Sequence, residues 1–216
     1  MKTRVITSVV GVALLITVMF FYDTIFFNLV IAAVCLIAIH EIYAAFKFDK
    51  GSWYLYVGFV PLTLLILLSD YVPVRFWLQP VAYLFVLYIA ICVIANCNTA
   101  NFAKIGGMTL FAGCVIFCFY SLIYLKSLLP RAQYGYDAIY FVALILGFAW
   151  GGDTSAYFAG RAFGKHKLAP VVSPTKTIEG AIGGVIGSML IGVLFTFIYM
   201  QFFGSLSSMD GVKGSY

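Results

Sequence analysis

Between Gly151 and Gly187 the chain reads GGDTSAYFAGRAFGKHKLAPVVSPTKTIEGAIGGVIG, and four of its thirteen basic residues and two of its eight acids fall there. Asp153 follows a nearly uncharged apolar run, and an ionisable group at or near membrane depth is costly enough to mark a functional position. On a continuing helix Asp153 and Tyr157 share a face, with Gly160 and Arg161 one turn further on. The alternative is that Asp153 simply ends the helix at the interface. Arg161, Lys165 and Lys167 form a basic cluster suited to anionic groups, although such clusters also flank spans as topology determinants or head-group partners. His166, set between two lysines, reads as a solvated interfacial residue rather than a ligand.

The run Ser173-Pro174-Thr175-Lys176-Thr177-Ile178-Glu179-Gly180 is the sharpest local feature. Ser173 is a good N-cap and Pro174 is favoured at the first helical position, which predicts a helix starting there. Its free N–H groups and positive dipole end would face an anion. Lys176, with the hydroxyls of Thr175 and Thr177, adds charge and hydrogen bonds suited to a phosphate. Glu179 has the chemistry to hold a metal-bound water or orient a lysine, so Asp153 and Glu179 are the candidate metal ligands. A capped helix entering the membrane explains Ser173 and Pro174 but leaves Lys176 and Glu179 without a task. The Gly-rich loop and Gly-Lys-Ser/Thr order of a Walker motif are absent. Gly180, Gly184, Ser188 and Gly192 then form a small-residue stripe that lets another membrane helix approach closely, predicted to be the one carrying Asp153. His40 and Glu41 end an earlier apolar run, where an inward-facing glutamate and an interfacial cap are equally open readings.

These residues need apolar elements to carry them. The chain has 216 residues, 63% hydrophobic and 10% charged, with mean hydropathy +1.04. Soluble domains average about 45–50% apolar and about 25% charged, so a soluble enzyme, a disordered chain and a disulfide-stapled module are excluded. The expected fold is an all-α polytopic membrane helix bundle. Runs of roughly 20 apolar residues mark spans, and seven occur, at about 5–22, 24–46, 53–69, 76–95, 106–125, 138–160 and 180–203. They make 1–216 a single integral membrane domain with a substrate loop at 161–179. Aromatic residues near many run ends, among them Tyr22, Trp53, Tyr71, Trp77 and Trp150, match an interfacial belt. The runs are continuous rather than alternating, which excludes a β-barrel. Cys35, Cys92, Cys97, Cys114 and Cys118 lie in or beside apolar runs and read as small buried hydrophobes. Lys2 and Arg4 precede the first run with no small-residue cleavage site after it, the pattern of a signal anchor.

At this point Asp153-Thr-Ser-Ala-Tyr157, Gly160, Gly164-Lys-His-Lys-Leu-Ala-Pro170, Ser173-Pro-Thr-Lys-Thr177, Glu179-Gly180 and Gly183-Gly184 resemble the phosphatidate cytidylyltransferases, the CDP-diacylglycerol synthases. The dense match covers about residues 150–187. The resemblance implies that CTP and phosphatidate give CDP-diacylglycerol and pyrophosphate with Mg2+ or another divalent cation. It implies Asp153, Lys176 and Glu179 as catalytic residues, with Tyr157, Arg161, Lys165, Lys167, Ser173, Thr175 and Thr177 binding substrate. The expected location is a bacterial inner membrane, with the active loop placed in the cytoplasm by the count of basic residues below, and no nucleic-acid partner is expected. The family carries further C-terminal spans with a second motif of metal-binding acids. Residues 188–216 match none of it, so the expectation is a catalytically incomplete fragment, a partner to a complementing C-terminal segment, or a homodimer. A non-catalytic lipid-binding protein and a cytidylyltransferase for another lipid phosphate are the rival readings. A transporter would spread polar residues over repeated halves near the midplane, and no internal repeat is present.

Charge sets the expected orientation. With the N-terminus inside, Lys2, Arg4, Lys47, Lys50, Lys104, Arg161, Lys165, Lys167 and Lys176 collect on the cytoplasmic side, nine against the four of Arg75, Lys126, Arg131 and Lys213. Excess Lys and Arg stays cytoplasmic. Reporter fusions after Lys167 are therefore expected to read cytoplasmic and fusions after Lys213 external. Cytoplasmic signals at both would mean the span count is off by one.

Overall fold

The computed structural model describes residues 14–48, 53–71, 73–95, 101–170 and 173–203. Residues 5–13 of the first predicted span lie outside these, as do Lys2, Arg4, Lys50, Cys97 and Lys213. The described elements are α1 (residues 14–20), α2 (Ile25–Ala45), α3 (Trp53–Leu67), α4 (Val74–Ala95), α5 (Phe102–Leu128), the short α6 (Arg131–Tyr134), α7 (Asp137–Phe163), strands β1 (Lys167–Ala169) and β2 (Ser173–Thr177), and α8 (Ile178–Phe203). The architecture is a membrane helix bundle, and the protein is an integral membrane protein. Among the described residues five helices, α2, α4, α5, α7 and α8, are long and apolar enough to cross a bilayer. α3 has 15 residues, about 22 Å at ~1.5 Å per residue, short of a hydrocarbon core about 30 Å thick.

The chain forms two compact units, Met1–Leu128 and Leu129–Tyr216. In the first, α2 packs on α3 and α5, and α3 packs on α4. The buried Asn28 amide donates to the Leu67 carbonyl (2.9 Å) and to Asp70 (3.2 Å), while Lys126 donates to Asn28 (2.9 Å) and pairs with Asp70 at 3.2 Å. Polar groups this far from water persist only when paired. His40 and Glu41 belong to this unit, exposed in the last turns of α2, with the His40 ring edge-on to Tyr56.

In the second unit α7 and α8 lie side by side. The predicted stripe makes the contact: a Cβ on Gly180 would stand 2.9 Å from the Ala156 carbonyl oxygen and 3.2 Å from Gly160 Cα, and one on Gly184 would stand 3.1 Å from Ala156 Cβ and 3.2 Å from the Gly152 carbonyl oxygen. Ser188 donates to the Phe148 carbonyl at 3.2 Å. At the far end the Tyr199 hydroxyl donates to the buried Asp137 (2.6 Å), and the Tyr140 and Thr196 hydroxyls meet at 2.7 Å. Because the backbone itself opposes Gly184, a larger side chain has nowhere to go. Gly184→Leu is expected to destabilise the protein by about 1–3 kcal/mol, the cost of overpacking. Unfolding in mixed SDS micelles reads this, and the exposed Val185→Leu should stay within about 0.5 kcal/mol.

Candidate functional site

α7 does not stop at Asp153. It runs ten residues further, to Phe163, so Asp153, Tyr157 and Arg161 rise on one face as their spacing predicts. The reading of Asp153 as a helix terminus is thereby overturned. α7 closes at Gly164, whose N–H donates to the Gly160 carbonyl at 3.0 Å.

The predicted helix start at Ser173-Pro174 is corrected: Ser173–Thr177 is strand β2, antiparallel to β1 with Lys167 opposite Thr177 and Ala169 opposite Ser173. The physical reason is local. A residue before proline is pushed out of the α region, and the β-branched Thr175 and Thr177 favour extended backbone. Thr177 is the cap instead, its Oγ1 accepting from the Gly180 N–H at 3.2 Å. Pro174 costs nothing in a two-stranded ribbon whose outer edge needs no donor.

Glu179, in the first turn of α8 ahead of the apolar run 180–203, fastens this junction. Its carboxylate accepts from the backbone N–H of Lys165 (3.1 Å) and of His166 (3.2 Å), and His166 Nδ1 lies 2.6 Å from Oε1. The Ile178 N–H donates to the His166 carbonyl at 3.0 Å. His166 is exposed, as its sequence setting suggests, yet its ring is the partner of Glu179. No local sequence signal joins two residues thirteen apart. The hydrogen bond with His166, helped by the backbone donors, holds the Glu179 carboxyl down from 4.5 to about 2.

Above this junction α7, the hairpin and the start of α8 enclose a cavity of about 750 Å³, within the range of small-molecule sites. Asp153, Tyr157 and Arg161 line it from α7, and Thr175, Lys176 and Thr177 from β2. Gly160 and Gly180 form its floor, and Leu168 supplies an apolar wall. Tyr157 and Arg161 meet at 3.5 Å. Lys165, Lys167, Ser173 and Glu179 are not on its wall: Lys165 offers its backbone to Glu179, Lys167 stands opposite Thr177 and Ser173 opposite Ala169 in the ribbon, and both Glu179 oxygens accept from Lys165 and His166. Among the described residues Asp153 is the carboxylate that lines the cavity, and no group of three His, Cys, Asp or Glu stands together. Two cations and one carboxylate on a cavity at a helix pair's polar end have the chemistry to take a phosphate-bearing ligand.

The chain matches known proteins along most of its length. A family model described as "Cytidylyltransferase family" matches residues 2–211. A phosphatidate cytidylyltransferase of Bacillus subtilis is 28% identical over 204 residues, which cover 92% of this chain and 72% of that protein. Phosphatidate cytidylyltransferases of Haemophilus influenzae and Staphylococcus haemolyticus are 45% and 46% identical over 60 and 61 residues, 28% of this chain in each case and 21% and 24% of theirs. No solved structure matches it significantly.

The Glu179 junction makes a pH prediction. A carboxyl whose folded pKa is depressed adds stability that is whole above its ordinary value and is lost as pH falls through the folded one. Here the window runs from 4.5 down to about 2. Hydrogen exchange at the Lys165 and His166 amides should show protection at about pH 6 that weakens by about pH 3. Glu179→Gln should remove that pH dependence.

Proposed function

The chain belongs to the cytidylyltransferase family, and from that premise we propose that it transfers the cytidylyl group of CTP to phosphatidate, giving CDP-diacylglycerol and pyrophosphate. The observation that carries this reading is the cavity in which Lys176, Arg161 and Asp153 converge where the α7–α8 pair meets its polar hairpin. A lipid phosphate oxygen attacks the α-phosphorus of CTP. The bond from that phosphorus to the β-bridging oxygen breaks, and pyrophosphate leaves with the electron pair. Such a transfer asks for positioning and charge neutralisation more than for a protein nucleophile.

Lys176 is a point charge on β2, directly before the Thr177 cap, and it holds the phosphate chain. The Arg161 guanidinium, with the Tyr157 hydroxyl beside it, suits planar recognition of a second phosphate. The Thr175 hydroxyl adds a donor from the same strand. Glu179 and His166 touch no substrate in this scheme; they keep β2 and the first turn of α8 in register so that Lys176 faces the cavity. The donor set suits Mg2+ or a similar cation, which takes one or two protein carboxylates and completes its shell with phosphates and water. Asp153 is the residue that would hold it, and the ion would supply neutralising charge on the triphosphate. Charge distribution along the chain and the cytoplasmic supply of CTP support a cytoplasmic cavity in a bacterial inner membrane.

The test is transfer of label from CTP into chloroform-soluble product by the purified chain, alone and with a C-terminal segment of a longer relative. Asp153→Asn should lower turnover at least about 10²-fold, the scale of one electrostatic group in a transition state. Lys176→Ala should raise the KM for CTP or phosphatidate, and chelating divalent metal should abolish product. Wild-type kinetics in both variants would refute the assignment.

A further inference from the structure

Three glycines converge on the side chain of Thr177. A Cβ on Gly160 would stand 3.0 Å from its Oγ1, and one on Gly180 would stand 3.0 Å from the same atom. A Cβ on Gly164 would stand 2.8 Å from its Cγ2 and 2.9 Å from Oγ1. Backbone conformation does not ask for glycine at these positions. Among the described residues Gly135 is the glycine with positive φ, and Gly164 has φ −63°. Glycine inside a helix is destabilising relative to alanine, so Gly160 and Gly180 are there for the space they leave. Two glycines of α7 and one of α8 thus form a socket, and the half-buried Thr177 fills it.

The socket fixes a strand that pairing alone would hold weakly. A two-stranded ribbon is marginal by itself, and β1 is three residues long. Thr177 stands opposite Lys167 in that ribbon, and its Oγ1 accepts from the Gly180 N–H at 3.2 Å. Its backbone therefore belongs to β2 while its side chain lies against both helices. Lys176 is the preceding residue, on the cavity wall. A β-branched side chain is stiff at χ1, and one held at both Oγ1 and Cγ2 keeps its strand from rolling about its own axis. That roll is the motion that would carry the Lys176 stem off the cavity wall.

We propose that Thr177 is a positioning residue: seated among Gly160, Gly164 and Gly180, it sets where Lys176 stands on the cavity. The assignment deepens the phosphate-site reading above and rests on it. Thr177 thereby has a task other than the direct substrate contact that the family resemblance implies, and the three glycines have one task in common.

The test compares Thr177→Ala, Thr177→Val, Thr177→Ser and Gly164→Ala in the purified full chain in micelles. One readout is binding of CTP, with pyrophosphate as a probe that lacks the nucleoside. The other is the NMR signal of carbon-13-methylated Lys176 without ligand. Thr177→Ala should weaken binding of both probes about fivefold, within the range of coupling between touching residues, and should shift or broaden the Lys176 signal. Thr177→Val keeps the shape without the cap, and Gly164→Ala crowds the socket from α7. Each should weaken binding at least about twofold and move the Lys176 signal. Thr177→Ser, which keeps the oxygen, should bind within about twofold of the unaltered chain. The signal of Lys126, paired with Asp70, should stay in place throughout; movement of both signals would mean general loosening and overturn the proposal. In a Lys176→Ala background, Thr177→Ala should cost less than about a further twofold. A further fivefold loss there would mean that Thr177 holds the ligand directly, and it would overturn the proposal, as would an unmoved Lys176 signal. If Thr177→Ala does not fold, Gly164→Ala carries the same cycle. Failure of the cytidylyl reading shows separately, as a Lys176 signal that responds to Thr177→Ala while neither CTP nor pyrophosphate binds.

Discussion

The candidate site depends on how closely two membrane helices approach. In lipid there is no hydrophobic gain from bringing apolar helices together, so association rests on van der Waals contact between surfaces that fit and on hydrogen bonds. Gly180 and Gly184 bring α8 against the Ala156 and Gly152 carbonyls of α7, an approach too close for a Cβ at Gly180 and tight for one at Gly184. At the far end the Tyr199–Asp137 and Tyr140–Thr196 hydrogen bonds hold the same pair. With both ends fixed, residues on the two helices keep constant spacing, and a cavity built from three side chains of α7 and three of β2 keeps its shape.

The hairpin solves a second problem, that of polar backbone at the edge of a bilayer. The N–H groups at the start of a helix have no partner within it, and where water thins out each must be supplied with one. Thr177 supplies Gly180, and the β1–β2 ladder consumes groups on the preceding strand. Glu179 turns back to take the Lys165 and His166 N–H groups of the connector between α7 and β1. The same arrangement that satisfies the backbone aims Lys176 and Thr175 at the cavity. One set of bonds thus satisfies the backbone and shapes the cavity, which explains why so many polar residues fall within thirty positions of an otherwise apolar chain.

The helices of the α7–α8 pair change character along their length. α7 carries Asp153, Tyr157 and Arg161 in its last three turns, and α8 holds no charged residue after Glu179. The polar cavity at one end of the pair follows from that gradient.

Much of this was legible in the chain. Apolar run lengths give the long helices because a bilayer core has a fixed thickness, and the small-residue stripe names the helix contact because only small residues permit it. The shared face of Asp153, Tyr157 and Arg161 follows from helical spacing alone. Local rules failed where two of them competed. Ser173-Pro174 satisfies a helix-start pattern, but backbone pairing with Lys167–Ala169 and the better placed Thr177 cap made the segment a strand. Ladder energy comes from a partner that no local window contains. Glu179 has the chemistry of a ligand, yet the fold brings it the Lys165 and His166 N–H groups and the His166 ring. His166 became that partner for the same reason. Residue type and spacing thus determined which groups were available and where the helices ran. The tertiary structure decided which groups face the cavity and which are used in building it, because that choice turns on contacts between segments that only folding brings together.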